Sequence, residues 1–215
     1  MAQTITEARY AQPVTRYRHD ALGPGHEWGA LVLKMEGGQT RRFTLPETLV
    51  YEDTAPRLAD LTGDGLPEVL VVESSLTKGS RLAVYSARGR MAATAHIGDR
   101  NRWLAPVGAA DLDGDGRVEL AYVETPHLGK VLKVVHLSGD TLTPVAELAG
   151  LTNHRLGSGV IESAILSCGS SAVLLVADAD WGQVMAVRLE QGALVATPFR
   201  PYEGPGSFAN LPICN

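Results

Sequence analysis

The sequence predicts an all-β protein, a small β-propeller of about four blades with four strands in each blade. The first reason is a repeat of about fifty residues that runs along the 215-residue chain. The second is that each repeat contains short runs of Val, Leu and Ala separated by Gly, Asp, Pro and Ser, which is typical of strands and turns. The third is that no stretch of twelve residues keeps a capped helical period.

The repeat is marked by a glycine that opens an apolar strand pattern, and it defines the units of the chain. These glycines are Gly29, Gly79, Gly129 and Gly182. They predict one domain, 1–215, built from units at about 3–50, 51–101, 102–153 and 154–200, with 201–215 as a closing C-terminal tail. In the third unit we expect strands at 105–110, 118–123, 131–137 and 142–148.

Radial repetition of four-stranded units protects strand edges, which favours a propeller. The alternative is a β-sandwich or another all-β stack with repeated hairpins. Sandwiches seldom show so regular a period, so we prefer the propeller.

The second and third units each contain an acidic segment, and the two segments begin at Asp60 and Asp111. Glycines within them allow sharp turns, so carboxylates at positions 1, 3, 5 and 9 can converge on one point. Flexible oxygen coordination suits Ca²⁺ better than Mg²⁺. The predicted ligands are Asp111, Asp113, Asp115, the carbonyl of Arg117 and Glu119 in the third unit, and Asp60, Asp64, the carbonyl of Leu66 and Glu68 in the second, where Thr62 stands at the third position.

Thr62 replaces an acid, so we expect a weaker calcium site in the second unit than in the third. The alternative is a pair of acidic turns without metal. Mutual repulsion of three or four carboxylates makes such a metal-free loop unfavourable. The segments are not EF-hands, because apolar strand patterns flank them and the last glutamate stands at position 9 rather than 12.

These segments resemble the FG-GAP/VCBS repeat, which also forms the N-terminal propeller of integrin α subunits. The resemblance covers residues 55–125 well, and it extends to the first and fourth units only through their strand rhythm. It implies acidic calcium-binding loops between the first two strands of a blade, and it implies export from the cytoplasm. It does not imply one activity, because members serve adhesion, lectin-like binding and, in some cases, polysaccharide cleavage. Members often have seven blades, so four units are a departure.

The fourth unit aligns with the third at a shift of 53 residues, and the alignment removes every metal ligand. Asp115 maps to Cys168, which is expected to lie in the loop without calcium. The other cysteine, Cys214, is next to last in the chain. We expect a Cys168–Cys214 disulfide, which the chain-entropy treatment values at roughly 4 kcal/mol and which favours an oxidising compartment. Two free thiols are the alternative.

A candidate ligand-binding rim lies just before the anchor glycines, at the ends of the strands opposite the acidic loops. Aromatic side chains beside carboxylates there can form a platform for a sugar or a peptide. The alternative is that the tryptophans pack between blades. The residues of this rim are Trp28, Lys78 and Trp181, with Glu27 and Asp180 beside the two tryptophans.

Composition and motifs narrow the functional classes. The net charge is −5 and the basic residues are scattered, which argues against nucleic acid as a partner. No apolar run reaches 18 residues, so no transmembrane segment is predicted. Residues 1–20 lack the apolar core of a signal peptide, which fits either a cytosolic protein or a mature domain whose leader was removed.

No catalytic motif is recognisable, so we expect a non-enzymatic protein. The sequence therefore favours a secreted or periplasmic, calcium-stabilised propeller that binds a protein or a glycan. The alternative is a polysaccharide-degrading enzyme, lyase-like or hydrolytic, on the same scaffold.

Overall fold

The computed structural model describes residues 4–211, and in that range the chain is all-β with one short 3₁₀ helix, Pro205–Phe208. No helix among these residues is long and apolar enough to cross a membrane. The described residues divide into two compact units. Unit 1 comprises 4–104 with 137–142 and 156–159, and unit 2 comprises 105–136, 143–155 and 160–211.

Unit 1 contains one sheet, in which strands pair in the order β1-β2-β4-β6-β7-β8, with β3 on β2 and β5 on β6. Its first three strands form a meander, and β5 to β8 form a four-stranded antiparallel meander. The strands are β1 (Ile5–Pro13), β2 (Glu27–Met35), β3 (Thr40–Thr44), β4 (Leu49–Glu52), β5 (Arg57–Ala59), β6 (Glu68–Ser75), β7 (Gly79–Ser86) and β8 (Gly89–Ala93).

Strand β4 links the two meanders of unit 1. Tyr51 in β4 pairs with Trp28 of β2 on one side and with Glu73 of β6 on the other. The first repeat therefore has three strands of its own among the described residues, where four were predicted. The fourth short strand, β4, pairs with strands of both the first and the second repeat.

Unit 2 contains a four-stranded sheet, β12-β11-β10-β9, and a five-stranded sheet, β13-β15-β16-β17, with β14 on β15. The four strands predicted for the third repeat are all present, and each begins and ends within one residue of its predicted bounds. The strands are β9 (Leu104–Ala110), β10 (Glu119–Glu124), β11 (Val131–Ser138), β12 (Thr141–Ala149), β13 (Leu151–Thr152), β14 (Ala164–Cys168), β15 (Ser171–Asp178), β16 (Gln183–Glu190) and β17 (Ala193–Pro201).

Each unit has its own hydrophobic core, formed by the inward-facing residues of its strands. The core of unit 1 includes Leu31, Tyr51 and Val71, none of which exposes any surface. A core of unit 2 includes Val123, Leu132 and Val176, which are equally buried. The central strand β6 is buried along its whole length, so its side chains pack on both faces.

The fourth repeat differs from the prediction at its first turn. Cys168 was expected in a loop, but it is the last residue of β14. The connection to β15 is the two-residue turn Gly169–Ser170, with Gly169 at φ +69°. This connection has no carboxylates and forms a tight two-residue hairpin.

Candidate functional site

The two acidic segments lie where the sequence predicted, between the first and second strands of their four-stranded meanders. One joins β5 to β6 in unit 1, and the other joins β9 to β10 in unit 2. Each contains two glycines with φ between +74° and +87°, a region that L side chains rarely adopt. These glycines, Gly63 and Gly65 in the first loop and Gly114 and Gly116 in the second, produce the sharp turns.

The loop of unit 2 is organised around Asp111. Its Oδ1 accepts the N–H of Gly114 at 2.7 Å, and its Oδ2 accepts the N–H of Gly116 at 2.9 Å. Glu119 closes the loop, because its Oε2 accepts the N–H of Leu112 at 2.9 Å. The backbone thus fixes the first and last predicted ligands.

The loop of unit 1 repeats this frame bond for bond. Asp60 accepts the N–H groups of Gly63 and Gly65, both at 2.8 Å. Glu68 accepts the N–H of Leu61 at 2.9 Å. The loop also borders a surface pocket of about 360 Å³ that Thr62, Asp64 and Glu68 help to line.

Convergence of carboxylates distinguishes the two loops. In unit 2, one oxygen from each of Asp111, Asp113 and Asp115 lies within 4.8 Å of the others. Among residues 4–211 no other group of three His, Cys, Asp or Glu side chains meets that spacing. The oxygen-only donor set of this loop fits a hard cation such as Ca²⁺.

The last glutamate of each loop lies among other carboxylates. Burial, together with the charges of Asp113, Asp115 and Asp111, raises the pKa of Glu119. Burial, together with the charges of Asp64 and Asp60, raises the pKa of Glu68. In both loops, burial and the neighbouring negative charges thus disfavour the ionised form of this glutamate.

Comparison with protein families identifies the segment that contains both loops. Residues 35–122 match the model of the FG-GAP-like repeat. The resemblance recognised from the sequence is thereby confirmed for about two fifths of the chain. Comparison with curated proteins gives no match.

Within the FG-GAP-like loop of unit 2, Arg117 supplies an internal cation. Two guanidinium nitrogens lie 2.6 and 2.9 Å from Oδ2 of Asp115. The backbone N–H of Arg117 donates to Oδ1 of the same residue. These contacts lower the pKa of Asp115. A cation bound by Asp115 would therefore compete with the exposed guanidinium of Arg117.

The rim residues of unit 1 have different environments. Lys78 is exposed, whereas Trp28 is half-buried and stacks on Tyr10 at a centroid distance of 6.5 Å. Glu27 is only 6% exposed, and its two oxygens accept the N–H groups of Arg18 and His19. This placement gives Glu27 a structural role in that segment.

The rim residues of unit 2 belong to the turn between β15 and β16. Asp180 is exposed and Trp181 is half-buried. Trp181 contacts two residues that sequence reasoning missed, Arg155 and Tyr202. Both lie more than twenty positions from it along the chain, so no local pattern linked them. Neither predicted rim tryptophan is fully buried.

A buried polar chain in unit 1 bears on the enzyme alternative. Nδ1 of His19 lies 2.7 Å from Oε1 of Glu52, and Ser74 donates to Oε2 of Glu52 and contacts Ser80. This combination of residue types occurs in hydrolases. Here Ser74 and Ser80 expose no surface, so neither hydroxyl can reach a substrate in this conformation.

The predicted disulfide falls outside what the structure describes. Cys214 lies beyond residue 211, and only the backbone of Cys168 is described. The Cys168–Cys214 bridge therefore stays a prediction.

Proposed function

We propose that this chain is a calcium-stabilised, β-propeller-type binding module that acts outside the cytoplasm and recognises a protein or a glycan. The observation that carries the proposal is the pair of acidic loops with the same hydrogen-bond frame, inside the segment that matches the FG-GAP-like repeat. FG-GAP-like repeats occur in extracellular proteins, generally mediate protein binding and are generally non-enzymatic.

Calcium has a structural part in this proposal. In the loop of unit 2, the predicted ligands are Asp111, Asp113, Asp115, Glu119 and the carbonyl of Arg117. In the loop of unit 1 they are Asp60, Asp64, Glu68 and the carbonyl of Leu66. A cation at either point offsets the repulsion among the carboxylates and stabilises the turn between the strands.

Calorimetric titration of metal-free protein with Ca²⁺ tests this proposal. We expect a tighter binding event from the loop of unit 2 and a weaker one from the loop of unit 1. Asp115→Asn should abolish the tighter event and leave the weaker one unchanged. Asp140→Asn, which alters an exposed carboxylate outside both loops, is the matched control. Absence of any Ca²⁺ binding to the native protein would refute the calcium part of the proposal.

A second experiment separates a binding module from a polysaccharide-degrading enzyme. The module should retain ligands on a glycan array or an immobilised peptide library without changing them. A lyase would release unsaturated sugars, which absorb in the ultraviolet, and a hydrolase would release reducing ends. Product formation that persists in Asp115→Asn and is lost with Ser or His substitutions would favour the enzyme.

A further inference from the structure

The guanidinium of Arg155 lies against two aromatic rings in the rim of unit 2. The guanidinium carbon of Arg155 lies 4.3 Å from the centre of the Trp181 ring and 4.9 Å from that of Tyr202. The two rings meet edge to face at 5.0 Å and 66°. Arg155 is nevertheless exposed, so the rings fix its orientation while its outer edge faces solvent.

The backbone of Trp181 is strained. Its φ is +59°, a region in which a bulky side chain is an outlier and where glycine or asparagine is usual. Asp178 holds the turn, because its Oδ1 accepts the N–H groups of Gly182 and Gln183. Strain of this kind clusters at binding and active sites. The turn therefore places the Trp181 ring against Arg155 even though this requires an unfavourable backbone conformation.

Arg155 has no ion-pair partner among the carboxylates of residues 4–211. Glu162 is 5% exposed, and its Oε2 accepts the hydroxyl of Tyr202 at 2.7 Å. That bond holds Tyr202 in place, and the carboxylate of Glu162 contacts the tyrosine instead of forming an ion pair with Arg155. An oriented, exposed guanidinium that forms no ion pair is suited to bidentate recognition of a carboxylate.

The neighbouring loop of unit 2 adds aliphatic surface to the same rim. Lys130 donates its Nζ proton to the carbonyl of Ala179 at 2.6 Å, which ties the β10–β11 loop to the β15–β16 turn. His127 in the β10–β11 loop contacts His154, the residue before Arg155. Leu128 lies between His127 and Lys130 in this loop and is 62% exposed. Burying an exposed leucine against apolar side chains of a partner protein is favourable, whereas a polar sugar offers it less apolar surface.

We propose that Arg155, Trp181 and Tyr202, with Leu128 beside them, form the contact surface for a partner protein that presents an Asp or Glu next to an apolar side chain. The proposal rests on the proposed binding function and adds its location and the chemistry of the partner. Arg, Trp and Tyr are the residues that dominate binding energy in protein interfaces. Trp181 acts here by orienting Arg155, and the acid of the partner completes the ion pair.

A random peptide library displayed on phage, selected against the native chain in Ca²⁺, tests the proposal. We expect enriched peptides with an acidic residue next to Leu, Ile, Val or an aromatic residue. Arg155→Gln should weaken binding of a selected peptide at least tenfold. Trp181→Gly, which relieves the positive φ and removes the ring, should weaken it severalfold. Arg188→Gln, an exposed arginine on β16, should bind as the native chain does.

Charge reversal gives a second, positive readout. The Arg155→Glu variant should select peptides in which Lys or Arg replaces the acid. Peptides that bind native protein and Arg155→Gln equally would overturn the proposed surface while leaving the binding module intact. Enrichment of no peptide, or binding of glycans alone with Arg155-dependent affinity, would overturn the protein partner. Loss of Ca²⁺ binding in the titration above is a separate failure, which concerns the loops.

Discussion

Thr62 and Asp113 occupy the same position in two loops whose first and last carboxylates accept the same three backbone N–H groups. Asp113 brings its carboxylate within 4.8 Å of Asp111 and Asp115, whereas Thr62 offers a hydroxyl. The number of charged ligands sets the affinity of such loops for Ca²⁺. We therefore expect the identity of this one residue to decide which loop binds Ca²⁺ more tightly.

Thr62→Asp should convert the loop of unit 1 into a tighter site. Because it supplies the missing carboxylate, we expect its Ca²⁺ dissociation constant to fall by about tenfold or more in calorimetric titration. The metal-free variant should be less stable than the native chain, since four carboxylates then repel one another. Thr40→Asp, an exposed position of the same unit outside the loop, is the control and should alter neither property. An unchanged affinity in Thr62→Asp would show that the loop does not bind through this position.

At the residue scale the sequence could predict what lies within one loop and not what lies across the fold. The spacing of Asp111, Asp113 and Asp115 is local, so their convergence could be read from the chain. The contact of Arg155 with Trp181 and Tyr202 joins three separate segments, and it appears only after the strands pair. The predicted aromatic platform includes Trp181, and in the structure Arg155 covers one face of the Trp181 ring.

At the scale of elements, the anchor glycines occupy equivalent places in the sequence repeat, but the structure requires a glycine there to different degrees. Gly79, Gly29 and Gly182 show the difference. Gly79 opens β7 at φ +70°, and a Cβ there would lie 2.4 Å from the carbonyl oxygen of Asp99 and 2.8 Å from that of Arg102. Gly29 instead lies inside β2, where a Cβ would meet the side chain of Gln12 at 3.1 Å. At Gly182 the nearest atom, in Asp178, lies at an ordinary 3.5 Å.

Gly79→Ala should destabilise the protein strongly, whereas Gly182→Ala should not. The first substitution combines a left-handed backbone with a clash against two backbone oxygens, which together cost more than about 2 kcal/mol. The second adds a methyl group at van der Waals distance to a residue with an ordinary φ. Urea unfolding of both variants measures the difference. Equal destabilisation at the two positions would contradict this explanation of the anchor.

Strand positions could be predicted well in the repeat that has all four strands and its turn residues, and less well in the repeats that lack some of them. The third repeat has its four strands within one residue of prediction, because each of its turns contains a glycine. The fourth repeat has a tight turn at Gly169–Ser170, since the ungapped alignment assumed a loop of constant length. The first has three strands of its own among the described residues, and the short strand β4 that follows them pairs with both β2 and β6.

At the scale of the whole molecule, each compact unit contains one acidic loop next to its own core. Leu61 and Leu112, the residues after Asp60 and Asp111, are 7% and 3% exposed. Each loop is thus anchored in the apolar interior by one leucine, while its aspartates are partly or fully exposed. A cation bound at the loop should therefore stabilise the strands on both sides of it, and the effect should reach the unit as a whole.

Calcium should stabilise the protein more as pH rises, and the sign follows from Glu68 and Glu119. Burial raises the pKa of both carboxyls above the value near 4.3 of an unfolded chain. Without metal, the folded state holds these protons more tightly, so the free energy of unfolding falls as pH rises from about 4.3 through the raised pKa values. Ca²⁺ requires the ionised carboxylates and compensates their charge, so it should remove this loss.

The measurement is thermal unfolding of protein freed of metal on a chelating resin, with and without added Ca²⁺, between pH 4 and pH 8. The shift in Tm caused by Ca²⁺ should be close to zero at pH 4 and should grow steadily above pH 5. At a hundredfold excess over the dissociation constant, one site contributes about 2.7 kcal/mol. Glu119→Gln cannot ionise at that position, so it should flatten the pH dependence and reduce the shift. Glu190→Gln, an exposed position on β16, should behave as the native chain does. A Tm shift of the same size at pH 4 and pH 8 would mean that Ca²⁺ acts elsewhere than at these carboxylates.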